Sequence, residues 1–166
     1  MNTRRQFATF YLHGFFFGVD VLRVQEVNRH LEMTRMPLAH VMVEGLINLR
    51  GQIIPAIDLR RRLEFPAREA NVLPMNMVVQ TEEGGFSLLV DEIGDVLEVP
   101  ESCYEQLPPT VAGAARELIQ GVYKLKGQLL LILDAERTVC LPDIPALSTP
   151  KARHRAPNFL PDCSIL

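Results

Sequence analysis

The sequence predicts an all-β fold in which a small antiparallel barrel is built twice, and three observations support it. The phrase Gly45-Leu46-Ile47-Asn48-Leu49-Arg50-Gly51-Gln52-Ile53-Ile54-Pro55-Ala56-Ile57-Asp58 returns without a gap as Gly121-Val122-Tyr123-Lys124-Leu125-Lys126-Gly127-Gln128-Leu129-Leu130-Leu131-Ile132-Leu133-Asp134. Each copy has an apolar run, a basic residue followed by Gly and Gln, a second apolar run and an Asp, which marks a duplication. Upstream of each copy lies a hairpin signal whose second strand ends in Val-Asp, at Val19-Asp20 and at Val90-Asp91. Short strands with Gly at their tips fill most of the chain, and closing them into barrels removes the unpaired edges they would otherwise present.

Phe7–Leu12 and Phe15–Val19 flank His13-Gly14, a short turn that predicts the first hairpin. Phe15, Phe16 and Phe17 are consecutive, so Phe16 faces away from its two neighbours. Asn76–Thr81 and Phe86–Val90 flank Glu82–Gly85 and predict the second hairpin. A short apolar strand follows each, within Val21–Val27 and Ile93–Val99. Variable loops come next, Asn28–Glu44 and Pro100–Gln120, and Leu31–Met36 in the first is a candidate for an added strand. The repeated phrase then forms a hairpin with Arg50-Gly51 or Lys126-Gly127 at its tip, where Gly can take positive φ. Asp58 and Asp134 are expected to cap one helical turn each, at about 1 kcal/mol. Arg60, Arg61 and Arg62 are then read mostly as the solvated face of that turn.

A chain of 166 residues with 48% hydrophobic and 22% charged residues has the apolar mass for one domain, or for two lobes that fold together. Its formal net charge of −3 argues against a general nucleic-acid or anionic-membrane binder. No secretory signal opens the chain, and no apolar run reaches the roughly 18 residues a membrane span needs. Cys103, Cys140 and Cys163 lack metal-like spacing and fit a reducing compartment, so the expectation is a cytoplasmic protein without direct membrane insertion. Residues 143–166 read as a Pro-rich basic tail, expected to be disordered on its own.

Signatures of catalysis are missing: there is no HExxH, Walker loop, GxSxG or spaced Cys/His cluster. His13, His30, His40 and His154 scatter over turn, loop and tail. Cys140 lies in an apolar context, and a nucleophilic Cys103 would need a base that the sequence does not identify. The adjacent acids Asp91-Glu92 and Glu82-Glu83 point to opposite faces of a strand. Cys163–Leu166 formally satisfies a prenylation box, a short pattern that often matches by accident. No catalytic residue, metal ligand or cofactor is therefore expected. What remains is the hairpin tip. Arg50 offers a fixed fork of donors, Asn48 adds amide groups, and a hairpin holds both rigidly, which describes a binding surface. Lys126 is expected to stay hydrated.

Two motifs resemble those of the CheW family. Gly18-Val19-Asp20-Val21-Leu22-Arg23-Val24-Gln25-Glu26-Val27 is similar to its Gly-Ile-Asp-Ile signature followed by Val-Gln-Glu-Ile. Gly45-Leu46-Ile47-Asn48-Leu49-Arg50-Gly51, with Ile53, Pro55 and Ile57-Asp58-Leu59, is similar to its Asn-Leu-Arg-Gly hallmark. The similarity covers residues 6–142, with lobes of roughly 6–65, including a chain crossover, and 75–142. The resemblance implies two pseudo-symmetric five-stranded β-barrel lobes, no catalysis and a role as an adaptor in bacterial chemotaxis. Its implied partners are the regulatory domain of the histidine kinase CheA and the cytoplasmic tip of methyl-accepting chemoreceptors, in arrays at the membrane. Val24, Glu26, Gly45, Asn48, Arg50 and Gly51 match the implied binding positions, with Arg50 as the polar anchor and Gly45 leaving room for approach. Ile93, Val96 and Leu97 are candidates for the kinase face. A non-flagellar chemosensory-like pathway, a small-barrel ligand- or oligonucleotide-binding module and a Cys-dependent enzyme stand as alternatives.

Overall fold

His13 and Gly14 take φ of 52° and 82°, the paired positive values whose twist matches two antiparallel strands. They join β1 (Arg4–Leu12) to β2 (Phe15–Asp20) in a computed structural model that describes residues 3–37 and 40–141. The expected tail at 143–166, with Cys163, lies outside the described residues. Asp20 ends β2 by accepting a hydrogen bond from the Leu22 amide at 3.0 Å, which turns the chain through a short 3-10 segment into β3 (Val24–Asn28). The first copy of the repeat supplies β4 (Val43–Leu49), β5 (Gln52–Asp58) and the single turn α1 (Leu59–Arg62). The second hairpin is β6 (Met75–Thr81) and β7 (Gly84–Val90), with Glu82-Glu83 as its turn, and β8 (Glu92–Pro100) follows. Then come the two-residue β9 (Tyr104–Glu105), α2 (Gly113–Leu118), β10 (Ile119–Leu125), β11 (Gln128–Leu133) and α3 (Ala135–Val139).

These strands make two sheets, ordered β8-β1-β2-β11-β10-β9 and β3-β6-β7-β5-β4. The two orders superimpose term by term, with β8 matching β3, β1 matching β6, and so on to β10 and β4. In each, the junction between hairpin and repeat is a parallel pair, β11 with β2 and β5 with β7. Even β9 has a counterpart, because Thr34 bridges Leu46 on the outer side of β4 as Glu105 pairs with Val122 of β10. Sheet membership does not follow the two halves of the chain. The first hairpin pairs with the second copy of the repeat, and the second hairpin pairs with the first copy.

The largest core cluster draws on both sheets, with Phe10, Leu12, Phe17, Ile57, Met77, Phe86 and Leu88 among its members. A second cluster, including Phe7, Phe16 and Tyr123, fills the six-stranded sheet, and a third, including Ile47, Ile54 and Leu89, fills the five-stranded one. Phe16 and Phe17 thus serve different cores from adjacent positions, as strand alternation requires. Each such fully buried large side chain contributes about 2–3 kcal/mol.

Several local expectations are corrected. Leu31–Met36 forms no strand; it supplies only the Thr34 bridge. The second variable loop contains α2, which its Pro and Gly content obscured. Asp58 and Asp134 do cap their helical turns, accepting from Arg60 and Arg137 amides at 3.0 and 3.1 Å. Of the three arginines after Asp58 only Arg61 is exposed, so they are not mostly a solvated face. Arg62 is buried, and its guanidinium donates to the carbonyls of Thr138 at 2.9 Å and Arg137 at 3.0 Å, tying α1 to α3. Burial lowers its pKa from the ordinary value. Arg60 reaches Asp91 at 2.6 Å, and Arg68 reaches both Asp91 and Asp58, so the Val-Asp of the second hairpin is locked to the segment after β5. Cys140 is exposed rather than apolar-packed.

Candidate functional site

The site is built on the β4–β5 turn. Arg50 and Gly51 take φ of 52° and 86°, the same doubly positive turn as at His13-Gly14. A non-Gly residue there is strained, and the Asn48 side chain offsets it by accepting from the Gly51 amide at 2.9 Å. At the second tip Gly127 takes φ 85° while Lys126 stays negative, so the two copies differ in turn type as well as in charge. Lys124, which replaces Asn48, pairs instead with Glu105 at 3.0 Å.

Glu26 holds the Arg50 guanidinium with both carboxylate oxygens, one bond being 3.1 Å from Nη2 to Oε1 and the other joining Nη1 to Oε2. Asn28 donates to the same carboxylate at 2.9 Å. Arg50, with Asn28, keeps the Glu26 carboxyl below its usual range, and Glu26 in turn raises the pKa of Arg50. Since β3 and β4 end the five-stranded sheet, this pair draws its two ends together and curls the sheet. The Arg50 side chain nevertheless stays 72% exposed, against 18% for Glu26. A planar donor group is thus presented to solvent from a fixed position.

No equivalent pair exists in the other lobe. Counted from the two hairpin turns, Val79, Met77 and Asn76 match Phe10, Ala8 and Phe7, so Val24 matches Ile93, Asn28 matches Leu97, and Glu26 at its bulge matches Asp95. A shorter carboxylate, Asp95, therefore stands at the Glu26 position; it is exposed, and no ion pair joins it to Lys126.

The structure brings Glu26, Asn48, Arg50 and Gly51 together, with Val24 two residues before Glu26 on the inward face of β3, half-buried against the main core. It does not place Gly45 on that surface. Gly45 is buried at a β-bulge, and a Cβ there would lie 2.8 Å from the Thr34 carbonyl oxygen and 3.3 Å from Met33 Cβ. Its space is taken by the chain's own 33–34 segment, not kept open for a partner. Gly121 stands at the equivalent bulge, with the Tyr104 ring against it. Sequence reasoning missed Asn28 and the exposed Val27, which follow Glu26 on β3. Their signal was the alternation of β3, which sends Glu26 and Asn28 inward and Val27 outward.

Ile93, Val96 and Leu97 all lie on β8, which pairs with β1 and ends the six-stranded sheet. They do not share one surface. Ile93 and Leu97 are half-buried against two different cores, and Val96 points outward at 56% exposure. Among the described residues no group of three or more His, Cys, Asp and Glu side chains is placed to hold a metal ion, and no helix is long and apolar enough to cross a membrane.

A duplicated two-sheet β domain with a rigid, exposed arginine fork at one hairpin tip defines a class: a domain built to be bound by other macromolecules. Residues 6–140 match the CheW-like domain. The chain belongs to the CheW family. The chemotaxis protein CheW of Treponema pallidum (strain Nichols) is 30% identical over 138 residues, 80% of each chain. That of Bacillus subtilis (strain 168) is 30% identical over 135 residues, 81% of this chain and 86% of the relative. The crystal structure of the scaffolding protein TtCheW from Thermoanaerobacter tengcongensis aligns with a TM-score of 0.76 at 27% identity, covering 84% of this chain and 94% of that one. The family and the duplicated all-β fold read from the sequence are both upheld.

Proposed function

We propose that this protein is a non-enzymatic chemotaxis adaptor that couples the cytoplasmic tips of methyl-accepting chemoreceptors to the regulatory domain of the histidine kinase CheA. It works in the cytoplasm and joins receptor arrays at the membrane through those contacts. Family membership over residues 6–140 carries this reading. The receptor surface is the Arg50 tip, with Glu26 and Asn48 fixing its geometry, Gly51 allowing the turn and Val24 packing beneath. Because the guanidinium is already oriented, little side-chain freedom remains to be lost when a receptor carboxylate or carbonyl meets it. Gly45 supports this surface indirectly, by admitting the 33–34 segment beside β4. The kinase face is the β8 edge, where Val96 is exposed and the end strand offers backbone groups for contact between similar sheets.

The test is a pull-down with the kinase regulatory domain and with a receptor-tip fragment, comparing wild type with Arg50→Ala. Receptor binding is expected to fall about tenfold or more, the range of an interfacial arginine hot spot, while kinase binding and the fold survive. Unchanged receptor binding would remove Arg50 from its role. Failure of the wild type to bind either partner would defeat the adaptor reading.

A further inference from the structure

An apolar groove of about 560 Å³ opens between the β1–β2 hairpin, the residues after α1, α2 and β11. No charged side chain lines it. Phe15 and Phe65 form one wall, stacked with ring centroids 5.6 Å apart and planes 12° from parallel. Leu107, Ala115 and Leu129 face them, and Phe15 and Leu129 are each about half exposed, at 49% and 52%. The groove shares no residue with the Arg50 tip. An aromatic-walled apolar face of this kind normally has a cover.

The chain itself supplies a candidate cover. Arg62 fastens the carbonyls of Arg137, Thr138 and Cys140 to α1, and Leu63, the next residue, lines the groove. Leu141 is buried in the same cluster as Leu63 and Leu118. Leu141, the last described residue, therefore lies beside the groove wall. The next residues are Pro142-Asp143-Ile144-Pro145-Ala146-Leu147. Each Pro fixes its own φ and biases the residue before it, Leu141 or Ile144, toward extended backbone. In a polyproline II segment, with three residues per turn, Leu141, Ile144 and Leu147 fall on one edge and extend the burial begun by Leu141. At about 3.1 Å per residue, six residues reach roughly 19 Å. Aromatic-lined grooves take up such Pro-spaced segments, whose ordering costs little because they are preformed. The basic run Lys151–Arg155 begins only after Pro150 and has no acidic counterpart in the lining, so the match ends near Leu147.

We propose that Pro142–Leu147 folds back into the groove of its own chain, seating Ile144 and Leu147 against Phe15 and Phe65. The full-length protein, labelled at Ile and Leu methyls, tests this by NMR. Ile144 and Leu147 methyls are expected to show nuclear Overhauser contacts to the Phe15 and Phe65 rings. In the Ile144→Asp/Leu147→Asp variant those contacts vanish, the Leu129 and Leu131 methyls shift, and amide exchange at Ala115 and Ile119 quickens about fivefold or more. Arg50→Ala leaves all of these signals in place, so loss of the adaptor reading would not touch this one. Random-coil shifts for Ile144 and Leu147 without ring contacts would overturn the proposal. Contacts found only between differently labelled chains would also overturn it, assigning the groove to a second copy's tail.

Discussion

Replacing Gly45 by Ala separates a scaffold role from a partner-contact role. Gly45 does not need positive φ, so an alanine suits its backbone and only space is at issue. The added Cβ would meet the Thr34 carbonyl oxygen at 2.8 Å, and that oxygen accepts the Leu46 amide while Thr34 donates to the Leu46 carbonyl, at 2.8 and 2.9 Å. Backbone cannot swing aside as a side-chain tip can, so the bridge must open. Losing its two hydrogen bonds removes about 1–3 kcal/mol. The lower freedom of Ala in the unfolded chain returns about 0.4–1 kcal/mol, leaving a net loss of about 1–2 kcal/mol. In a domain of this size that lowers Tm by about 3–6 °C. Thermal unfolding followed by circular dichroism measures it, with Gly121→Ala as the internal comparison. There the obstacle is the Tyr104 side chain, which is partly exposed and held by one 3.2 Å hydrogen bond to the Gln120 carbonyl and an edge contact with Tyr123. A side chain can shift at the cost of that one exposed bond, so a smaller change in Tm is expected. A Gly45→Ala protein with unchanged Tm but weakened receptor binding would refute the reasoning and return Gly45 to the interface.

Arg62→Met is expected to destabilise by about 2–3 kcal/mol, read as a lower urea midpoint, since it strands the Thr138 and Arg137 carbonyls while relieving a buried charge. Burial tends to raise the pKa of Asp91, but bonds from Arg60, the His13 amide and Arg68 outweigh it and hold the carboxyl below its ordinary value. A lowered folded pKa means stability present above the unfolded value and lost as pH falls through the folded one. Asp91→Asn should therefore flatten the decline of Tm as the pH falls below the ordinary aspartate range. A decline as steep as in wild type would exclude Asp91 as its source. Asn48→Ala removes the acceptor for the Gly51 amide and should weaken receptor binding about threefold by loosening the tip, with Tm nearly unchanged. Asn48→Asp, which keeps the acceptor oxygen, should restore the turn as seen in the Gly51 amide shift.

Much of the scaffold was legible because its signals are local. His13-Gly14 and Arg50-Gly51 announce two-residue turns, and Asp58 and Asp134 announce caps, since each depends on a few adjacent residues. At the site, Arg50 and Asn48 stood out by residue type at a turn, and Glu26 through the resemblance to a known motif. Nothing local could show that Glu26 and Arg50 meet, because the contact requires the sheet to curl. Gly45 was misread for a related reason. Its neighbour is Thr34, placed by a bridge that Leu31–Met36 only hinted at. Arg62 looked solvated because an arginine after a cap usually is, yet the carbonyls it serves belong to α3, more than seventy residues on.

By itself the sequence determined the duplication, the hairpins, the caps and the family, all carried by residue type and short spacing. Tertiary structure alone decided that each hairpin joins the opposite copy of the repeat. It also decided that Glu26 fixes Arg50 while the equivalent Asp95 does not pair with Lys126, and that Leu141 lies beside an apolar groove. Turn and cap preferences act between neighbours, whereas strand partners are chosen by which long-range pairing buries the most apolar surface and satisfies the most backbone. Two hairpins and two repeats that share one pattern of apolar strands and turns leave that choice open locally; only the assembled core distinguishes the exchanged arrangement from the direct one.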